Sequence, residues 1–182
     1  SFFHECSMDL KQVIRTVDDF PKPGVKFLDV TSILENPEAF RRTINWLIKL
    51  AAVYQIESVV AIDARGFIWA GALANELRCP LHLARKPGKL PGNIVTNTYD
   101  TEYSTASLSM LKDVKIKGPV LVIDDILATG GTLNAVGELL DTEFDIPPNK
   151  QIHAVIANLD FLPGKKFLTD KGFIVEHLLN FD

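Results

Sequence analysis

The stretch that most constrains the fold is residues 119–140, which read PVLVIDDILATGGTLNAVGELL. It opens with a continuous apolar run from Val120 to Ile123, which is typical of a strand buried on both faces of a parallel sheet. Two carboxylates, Asp124 and Asp125, end that run. A loop of small residues follows, consisting of Ala128, Thr129, Gly130, Gly131 and Thr132. Apolar residues then recur at helical spacing, so the stretch predicts a strand, an acidic pair, a loop and a helix.

The loop has the chemistry of a phosphate site. Gly130 and Gly131 let the backbone turn sharply and let a ligand approach the main chain closely. Unpaired N–H groups at the start of the following helix, with the helix dipole and two threonine hydroxyls, suit an anion. The carboxylates just before the loop would repel a bare phosphate, so they suit a diol that is attached to the phosphate and donates hydrogen bonds. Ribose 5-phosphate has this combination.

Residues Val122 to Thr132 resemble the phosphoribosyl pyrophosphate (PRPP) signature of the type I phosphoribosyltransferases. The resemblance implies that Asp124 and Asp125 are catalytic residues that hold the ribose hydroxyls. It also implies that the loop of small residues binds the 5-phosphate of PRPP or AMP. The alternative is an acidic pair beside a glycine turn that only caps a helix.

Length and composition set the class of protein. The chain of 182 residues is 47% hydrophobic, which is enough for one sizeable core, so we expect a single domain over residues 1–182. The net charge of −4 argues against non-specific nucleic-acid binding, which needs a basic surface. Cys6 and Cys79 lack the spacing of a thiolate metal site, and no apolar stretch approaches the roughly 20 residues of a membrane helix. We therefore expect a soluble, cytoplasmic protein with no membrane or nucleic-acid partner.

A second strand, loop and helix are predicted around residues 58–77. The apolar run from Ser58 to Ile62 ends in Asp63, Ala64, Arg65 and Gly66, and a helix is predicted to follow through Leu77. This loop resembles the family's pyrophosphate loop, which implies that Ala64 and Arg65 bind pyrophosphate. The planar fork of an arginine can contact two phosphate oxygens at once. The alternative is an arginine that only caps the edge of the sheet.

A basic loop follows the next predicted strand, near Leu81 to Ala84. It reads RKPGKLPG from Arg85 to Gly92, and its prolines and glycines exclude a regular helix. Alone, such a cluster would be a solvated loop. The segment is similar to the adenine-specific branch of the family, which implies that Lys86 and Lys89 contact pyrophosphate. Arg85 resembles a residue that reaches the site of the neighbouring subunit, which implies a homodimer.

Residues 20–30 are predicted to form a shaped loop because they contain two prolines and a glycine. Structurally, the loop could be only a connector. It is similar to the small hood over the base site of adenine phosphoribosyltransferases, here about residues 1–35. The resemblance implies that Phe27 stacks on the purine and that backbone groups of Lys26 and Leu28 contact its edge. The family often has arginine where Leu28 stands, so a side-chain role of that arginine is absent.

Residues 93–113 are polar and alternate in hydrophobicity near Ser107 to Leu111, which predicts a mobile two-stranded flap, about residues 90–112. An exposed glutamate in such a flap is ordinarily only solvated. The pair Glu102 and Tyr103 matches the closing loop of the family. The resemblance implies that Glu102 acts catalytically on the purine ring nitrogens and that Tyr103 helps to close the site.

Further elements follow from periodicity: helices over residues 7–17 and from Asn36 onward, and strands near residues 152–157 and 173–179. The four histidines show no metal-ligand spacing, so no metal site built by protein residues is predicted. Mg²⁺ prefers phosphate oxygens and keeps several waters, so we expect it to arrive with the substrate.

The alternation of strands and helices predicts an α/β fold with a parallel central sheet flanked by helices. The family resemblance implies transfer of a phosphoribosyl group from PRPP to adenine, giving AMP and pyrophosphate in purine salvage. One alternative is a phosphoribosyltransferase for hypoxanthine or xanthine. Another is a non-catalytic PRPP-sensing regulator, which would need an added DNA-binding region.

Overall fold

The computed structural model describes residues 9–101 and 104–182. The strands along the chain are β1 (Arg15–Val17), β2 (Phe27–Asp29), β3 (Ser58–Ile62), β4 (Leu81–Ala84), β5 (Ile94–Asp100), β6 (Thr105–Leu111), β7 (Val120–Leu127), β8 (Gln151–Leu159) and β9 (Ile174–Phe181). The α-helices are α1 (Leu10–Val13), α2 (Pro37–Val53), α3 (Gly66–Leu77), α4 (Gly131–Phe144) and α5 (Gly164–Asp170). Short 3₁₀ helices span Val30–Glu35 and Pro148–Lys150.

Five strands form a central sheet in the order β4-β3-β7-β8-β9, and all neighbouring pairs are parallel. Alternate residues of a strand point to opposite faces, and both faces of this sheet are covered. Val59 and Leu121 belong to the core cluster that contains Leu47 and Trp69 of α2 and α3. Val60 and Val122 belong to a second cluster with residues of α4 and α5. Burial on both faces explains the continuous apolar runs and confirms the predicted α/β fold with a parallel central sheet.

The helix predicted over residues 7–17 is wrong within the described part of the chain. The helix α1 ends at Val13, and Arg15–Val17 instead pairs antiparallel with Phe27–Asp29 inside the predicted loop. The hydroxyl of Ser32 accepts a hydrogen bond from the backbone N–H of Arg15 (2.9 Å) and lies 2.9 Å from the carbonyl oxygen of Val13. Arg15 also forms ion pairs with Asp29 and Glu35. These tertiary contacts override the helical periodicity of a short segment.

The acidic pair lies inside a strand and not after one. Strand β7 pairs with β3 only as far as Ile123, but it pairs with β8 as far as Leu127. Asp124 and Asp125 therefore continue beyond the last paired residues of β3. This overhang carries both carboxylates to the carboxyl edge of the sheet, beside the loop that follows β3.

The predicted flap contains an antiparallel hairpin of β5 and β6, in register from Ile94 opposite Leu111 to Asp100 opposite Thr105. The side chain of Asn97 donates hydrogen bonds to the carbonyl oxygen of Ala135 (3.0 Å) and to the carboxylate of Glu138 (2.8 Å), both on α4. The hairpin is therefore held against the helix that follows the predicted phosphate loop. The predicted tip residues Glu102 and Tyr103 lie outside the described residues.

Among the helices of residues 9–101 and 104–182, none is both long and apolar enough to cross a membrane.

The buried residue His153 of β8 predicts a pH dependence of stability. Its Nε2 atom lies 2.9 Å from the Oε1 atom of Gln151, and burial lowers the pKa of His153 to about 3. The unfolded imidazole takes up a proton below about pH 6.5, whereas the folded one stays neutral. We expect His153 to remove about 2 kcal/mol of the free energy of unfolding between pH 7 and pH 5.

Denaturant unfolding at several pH values measures this contribution, with His153→Leu as the variant that lacks the titrating group. The variant will be less stable at pH 7, because the Oε1 atom of Gln151 loses its hydrogen bond to His153. Its free energy of unfolding should nevertheless fall less steeply with decreasing pH than that of the parent chain. Parallel curves for the two proteins would contradict the prediction.

Candidate active site

The candidate site lies where the strand order of the sheet reverses. From β3 the chain crosses to β4 on one side and later to β7 on the other, which opens a crevice at the carboxyl ends of β3 and β7. A cavity of about 650 Å³ occupies this position. Its lining includes Asp63, Ala64 and Arg65 after β3, Lys86 after β4, and Asp124, Asp125 and Ile126 of β7. Residues from three strand ends thus face one space.

The two carboxylates of β7 are in different environments. Asp125 is buried and forms an ion pair with the Nε atom of Arg65. Asp124 accepts a hydrogen bond from the backbone N–H of Asp125 (2.8 Å). Burial, reinforced by the neighbouring charge of Asp125, raises the pKa of Asp124 well above its usual range. A partly exposed carboxylate with a raised pKa is stabilised in its charged form by groups that donate hydrogen bonds to it, such as the hydroxyls of a sugar.

The loop between β7 and α4 encloses a smaller cavity of about 90 Å³. Gly130 has a φ angle of +88°, a left-handed conformation that favours glycine, and a Cβ atom there would lie 3.0 Å from the ring of Phe167. The N-cap residue of α4 is Gly130, which has no side chain to cap the first turn. The backbone N–H groups of this turn are therefore available to an anion in the loop.

Of the three cations in the predicted basic loop, one lines the large cavity. Lys86 lines the large cavity, and its backbone N–H donates to Asp63 (3.2 Å). Arg85 directs its Nε atom toward Asp63 of its own chain (3.4 Å). Lys89 is exposed and is not among the residues that line the described cavities. The predicted roles of Arg85 and Lys89 remain predictions.

An apolar pocket of about 350 Å³ adjoins the crevice. It is lined by Val25, Lys26, Phe27, Leu28, Ile126, Leu159, Phe161, Phe181 and Asp182. The ring of Phe20 packs edge-on against that of Phe27, with centroids 5.1 Å apart. Ile126 lines this pocket as well as the two cavities described above. The three compartments therefore meet at one residue of β7, directly after the acidic pair.

Comparison with known proteins gives a family for this arrangement. The family model of the phosphoribosyl transferase domain matches residues 29–143, which include the loops after β3 and β7. The chain belongs to the phosphoribosyltransferase family. The chain is 42% identical over 163 residues to an adenine phosphoribosyltransferase of Geobacter metallireducens, covering 89% of this chain and 94% of the relative.

Solved phosphoribosyltransferase structures have the same fold. The adenine phosphoribosyltransferase of Giardia lamblia, solved with 9-deazaadenine, aligns with a TM-score of 0.88 at 32% identity and covers 96% of this chain and 97% of its own. The adenine phosphoribosyltransferase of Thermoanaerobacter pseudethanolicus aligns with a TM-score of 0.83 at 35% identity. The alignment covers 94% of this chain and 98% of that chain.

The structure brings together most of the residues predicted from the sequence of this phosphoribosyltransferase. The large cavity is lined by Ala64, Arg65, Lys86, Asp124, Asp125, Ala128 and Thr132. The small cavity adds Thr129, Gly130 and Gly131, and the apolar pocket has Lys26, Phe27 and Leu28. Arg85 and Lys89 do not line these spaces, and Glu102 and Tyr103 lie outside the described residues.

Sequence reasoning missed several residues that shape the site. Ile126 could have been found, because it directly follows the acidic pair. Phe161 follows β8 and Phe181 ends β9. They line the apolar pocket only because the folded sheet brings these strand ends together. Tyr99 of β5 accepts a hydrogen bond from the hydroxyl of Thr132 (3.0 Å), and its ring lies close to Gly131. It therefore links the hairpin to the loop between β7 and α4.

The contact between Tyr99 and Thr132 predicts a role for Tyr99 in phosphate binding. Tyr99→Phe removes the oxygen that holds the Thr132 hydroxyl, so the loop loses one orienting hydrogen bond. We expect the dissociation constant for ribose 5-phosphate, measured by calorimetry, to rise about three- to tenfold. Tyr54→Phe is the matched control, because Tyr54 bonds Glu176 away from the described cavities (2.6 Å). Equal affinities of the two variants would refute the role.

Proposed function

We propose that this chain catalyses the transfer of the 5-phosphoribosyl group from PRPP to adenine, which yields AMP and pyrophosphate and serves purine salvage. The main support is the meeting of a phosphate loop, an acidic pair beside cations and an apolar pocket at Ile126. A phosphorylated sugar between a base and a polyphosphate needs these three environments at adjoining positions. Relatives and structural neighbours that are adenine phosphoribosyltransferases support the same reaction.

PRPP is proposed to bind with its 5-phosphate in the loop of residues 128–132, on the N–H groups at the start of α4. Its ribose hydroxyls would donate hydrogen bonds to Asp124 and Asp125. The pyrophosphate would then extend toward Ala64, Arg65 and Lys86 in the large cavity. Contacts at both ends of the sugar would fix the position of its C1 atom.

Breaking the bond between C1 and pyrophosphate places positive charge on the ribose and negative charge on the leaving oxygen. Arg65 and Lys86 would stabilise the leaving group, and the carboxylates beneath the sugar would stabilise the cationic ring. The N9 atom of adenine then forms the new bond to C1 and releases its proton to a base, while pyrophosphate keeps the electron pair of the broken bond. Water would compete for the same carbon, so closure of the flap would protect the cationic ribose from hydrolysis. The proposed actions of Glu102 on the purine nitrogens and of Tyr103 in closure rest on the family resemblance.

The apolar pocket suits a flat base. A purine could lie between the ring of Phe27 and the side chain of Ile126, both of which line it. Strand β2 pairs only with β1 in the described part of the chain, so its other edge presents unpaired backbone groups. Backbone groups of Lys26 and Leu28 could therefore donate to and accept from the edge of adenine.

The donor set at the large cavity fits a magnesium ion that is carried by the substrate. Asp124 and Asp125 offer carboxylate oxygens beside the space proposed for pyrophosphate, and Mg²⁺ prefers a few such oxygens together with phosphates and waters. When bound, the ion would neutralise charge on pyrophosphate. The proposed setting is the cytoplasm, where a free thiol such as that of Cys79 stays reduced.

The decisive experiment is an assay of pyrophosphate release with PRPP and adenine, hypoxanthine or xanthine. We expect turnover with adenine far above that with the other two bases. Preferred turnover of hypoxanthine or xanthine would contradict the proposed base, and no turnover of any base would contradict an enzyme and favour a PRPP-binding regulator.

The proposed base site predicts the effect of Phe27→Leu. The substitution keeps an apolar side chain but removes the aromatic face, which is worth about 0.5–1.5 kcal/mol of stacking. We expect KM for adenine to rise about three- to tenfold with little change in KM for PRPP. Phe144→Leu is the control, because Phe144 packs against the core away from the described cavities. Unchanged KM for adenine in Phe27→Leu would remove Phe27 from the base site.

We also propose a homodimer, in which a second copy covers the apolar face beside the edge strand β4. Leu81 and Leu83 of β4, with Leu111 and Val114, are exposed by about a third and line one cavity of about 280 Å³. Arg85 directly follows this strand, so a partner seated here would be near it. An edge strand with exposed apolar side chains is a surface that proteins ordinarily cover.

Leu83→Asp tests this dimer by placing a charge in the centre of the apolar face. We expect the parent chain to sediment as a dimer and the variant as a monomer in analytical ultracentrifugation at the same concentration. Val53→Asp introduces the same charge at an exposed position of α2 and should leave the dimer intact. A dimeric Leu83→Asp variant would place the interface elsewhere.

A further inference from the structure

A further cavity, of about 490 Å³, lies at the opposite end of the sheet from the candidate active site. Its walls come from the residues that precede three neighbouring strands: Glu57 and Ser58 at β3, Arg78 to Pro80 before β4, and Lys115 and Lys117 before β7. Ser58 lines this cavity and Ile62 lines the large catalytic cavity, so the two spaces are separated by roughly 13 Å along β3.

The charge around this cavity is strongly positive, although the whole chain is acidic. Arg78, Lys115 and Lys117 line it together with one carboxylate, that of Glu57. Within residues 9–101 and 104–182, none of the three cations forms an ion pair. The repulsion among these three positive charges decreases when an anion binds between them.

The positions of these cations are fixed by the fold. Ile116, which separates Lys115 from Lys117 in the sequence, is buried in the core and anchors the segment that carries both lysines. Arg78 ends α3 in a left-handed conformation with a φ angle of +53°, and its backbone N–H bonds carbonyl oxygens of the last helical turn. The three charges are therefore carried by backbone that is held in place.

A buried hydroxyl adds an independent observation. The side chain of Ser58 is fully buried, and its Oγ atom has no hydrogen-bond partner among the described residues. A buried hydroxyl without a partner is uncommon and costs stability, and this one lies just behind the wall of the cavity, closed to solvent.

From these observations, we propose that this cavity binds the phosphate group of a small phosphorylated molecule, outside the catalytic site. Arg78, Lys115 and Lys117 supply the charge. The volume exceeds that of orthophosphate and can hold a sugar phosphate or a nucleotide. A concave site in a chain of net charge −4 fits a small anion better than a nucleic acid.

Binding is tested by nuclear magnetic resonance on the ¹⁵N-labelled full chain, which separates the two sites by position. Orthophosphate and ATP are titrated in parallel, so that a free phosphate is distinguished from one attached to a nucleoside. We expect saturable shifts of the Ser58, Cys79 and Gly118 amides at concentrations of at most a few millimolar. Shifts confined to residues of the catalytic cavities with both probes would overturn the proposal.

Charge variants give the matched comparison. Lys115→Gln/Lys117→Gln should weaken binding at these amides at least tenfold, whereas Lys49→Gln/Lys166→Gln, with the same change of charge at residues of α2 and α5 that do not line this cavity, should not. Arg78→Gly removes the third cation in a conformation that glycine favours, so it leaves the turn unstrained, and it should also weaken binding. Equal affinities in the pocket variants and the control would overturn the proposal.

Discussion

The candidate site depends on the ion pair between Arg65 and Asp125. It joins the loop after β3 to the end of β7, across the crevice where the strand order reverses. Asp125 is buried, and a buried carboxylate without a compensating cation is strongly unfavourable. Arg65 compensates that charge from the protein side, so two acidic residues can stand side by side at the end of a strand whose other residues are apolar.

Close packing of the backbone makes this ion pair possible. Gly66 begins α3 directly after Arg65, and a Cβ atom on Gly66 would lie 2.6 Å from the carbonyl oxygen of Ile123 on β7. Any larger residue would push the start of α3 away from β7 and take Arg65 with it. The glycine therefore sets the distance between the helix and the strand, and through it the reach of the guanidinium to Asp125.

The sequence predicted the parts of the site that are local in the chain. The strand, loop and helix of residues 120–144 occur in the expected order, with the acidic pair inside the strand, because burial on both faces and a glycine turn each leave a local pattern. The apolar pocket could not be predicted in this way, since Phe161 and Phe181 join Phe27 only after the sheet has formed. The hairpin of β1 and β2 was missed for the same reason, because Ser32 and Asp29 fix the backbone and side chain of Arg15 from a distance in the chain.

The geometry of Arg65 also allows one side chain to serve two charges. Its Nε atom contacts Asp125, whereas its side chain is 48% exposed toward the large cavity. A guanidinium has five N–H donors, so the terminal nitrogens can bind phosphate oxygens while Nε keeps its carboxylate. The cation would then need no rearrangement when pyrophosphate binds, and the charge that develops on a leaving group would meet a donor already held in place. A lysine at this position could neutralise either charge but could not hold both in a fixed plane.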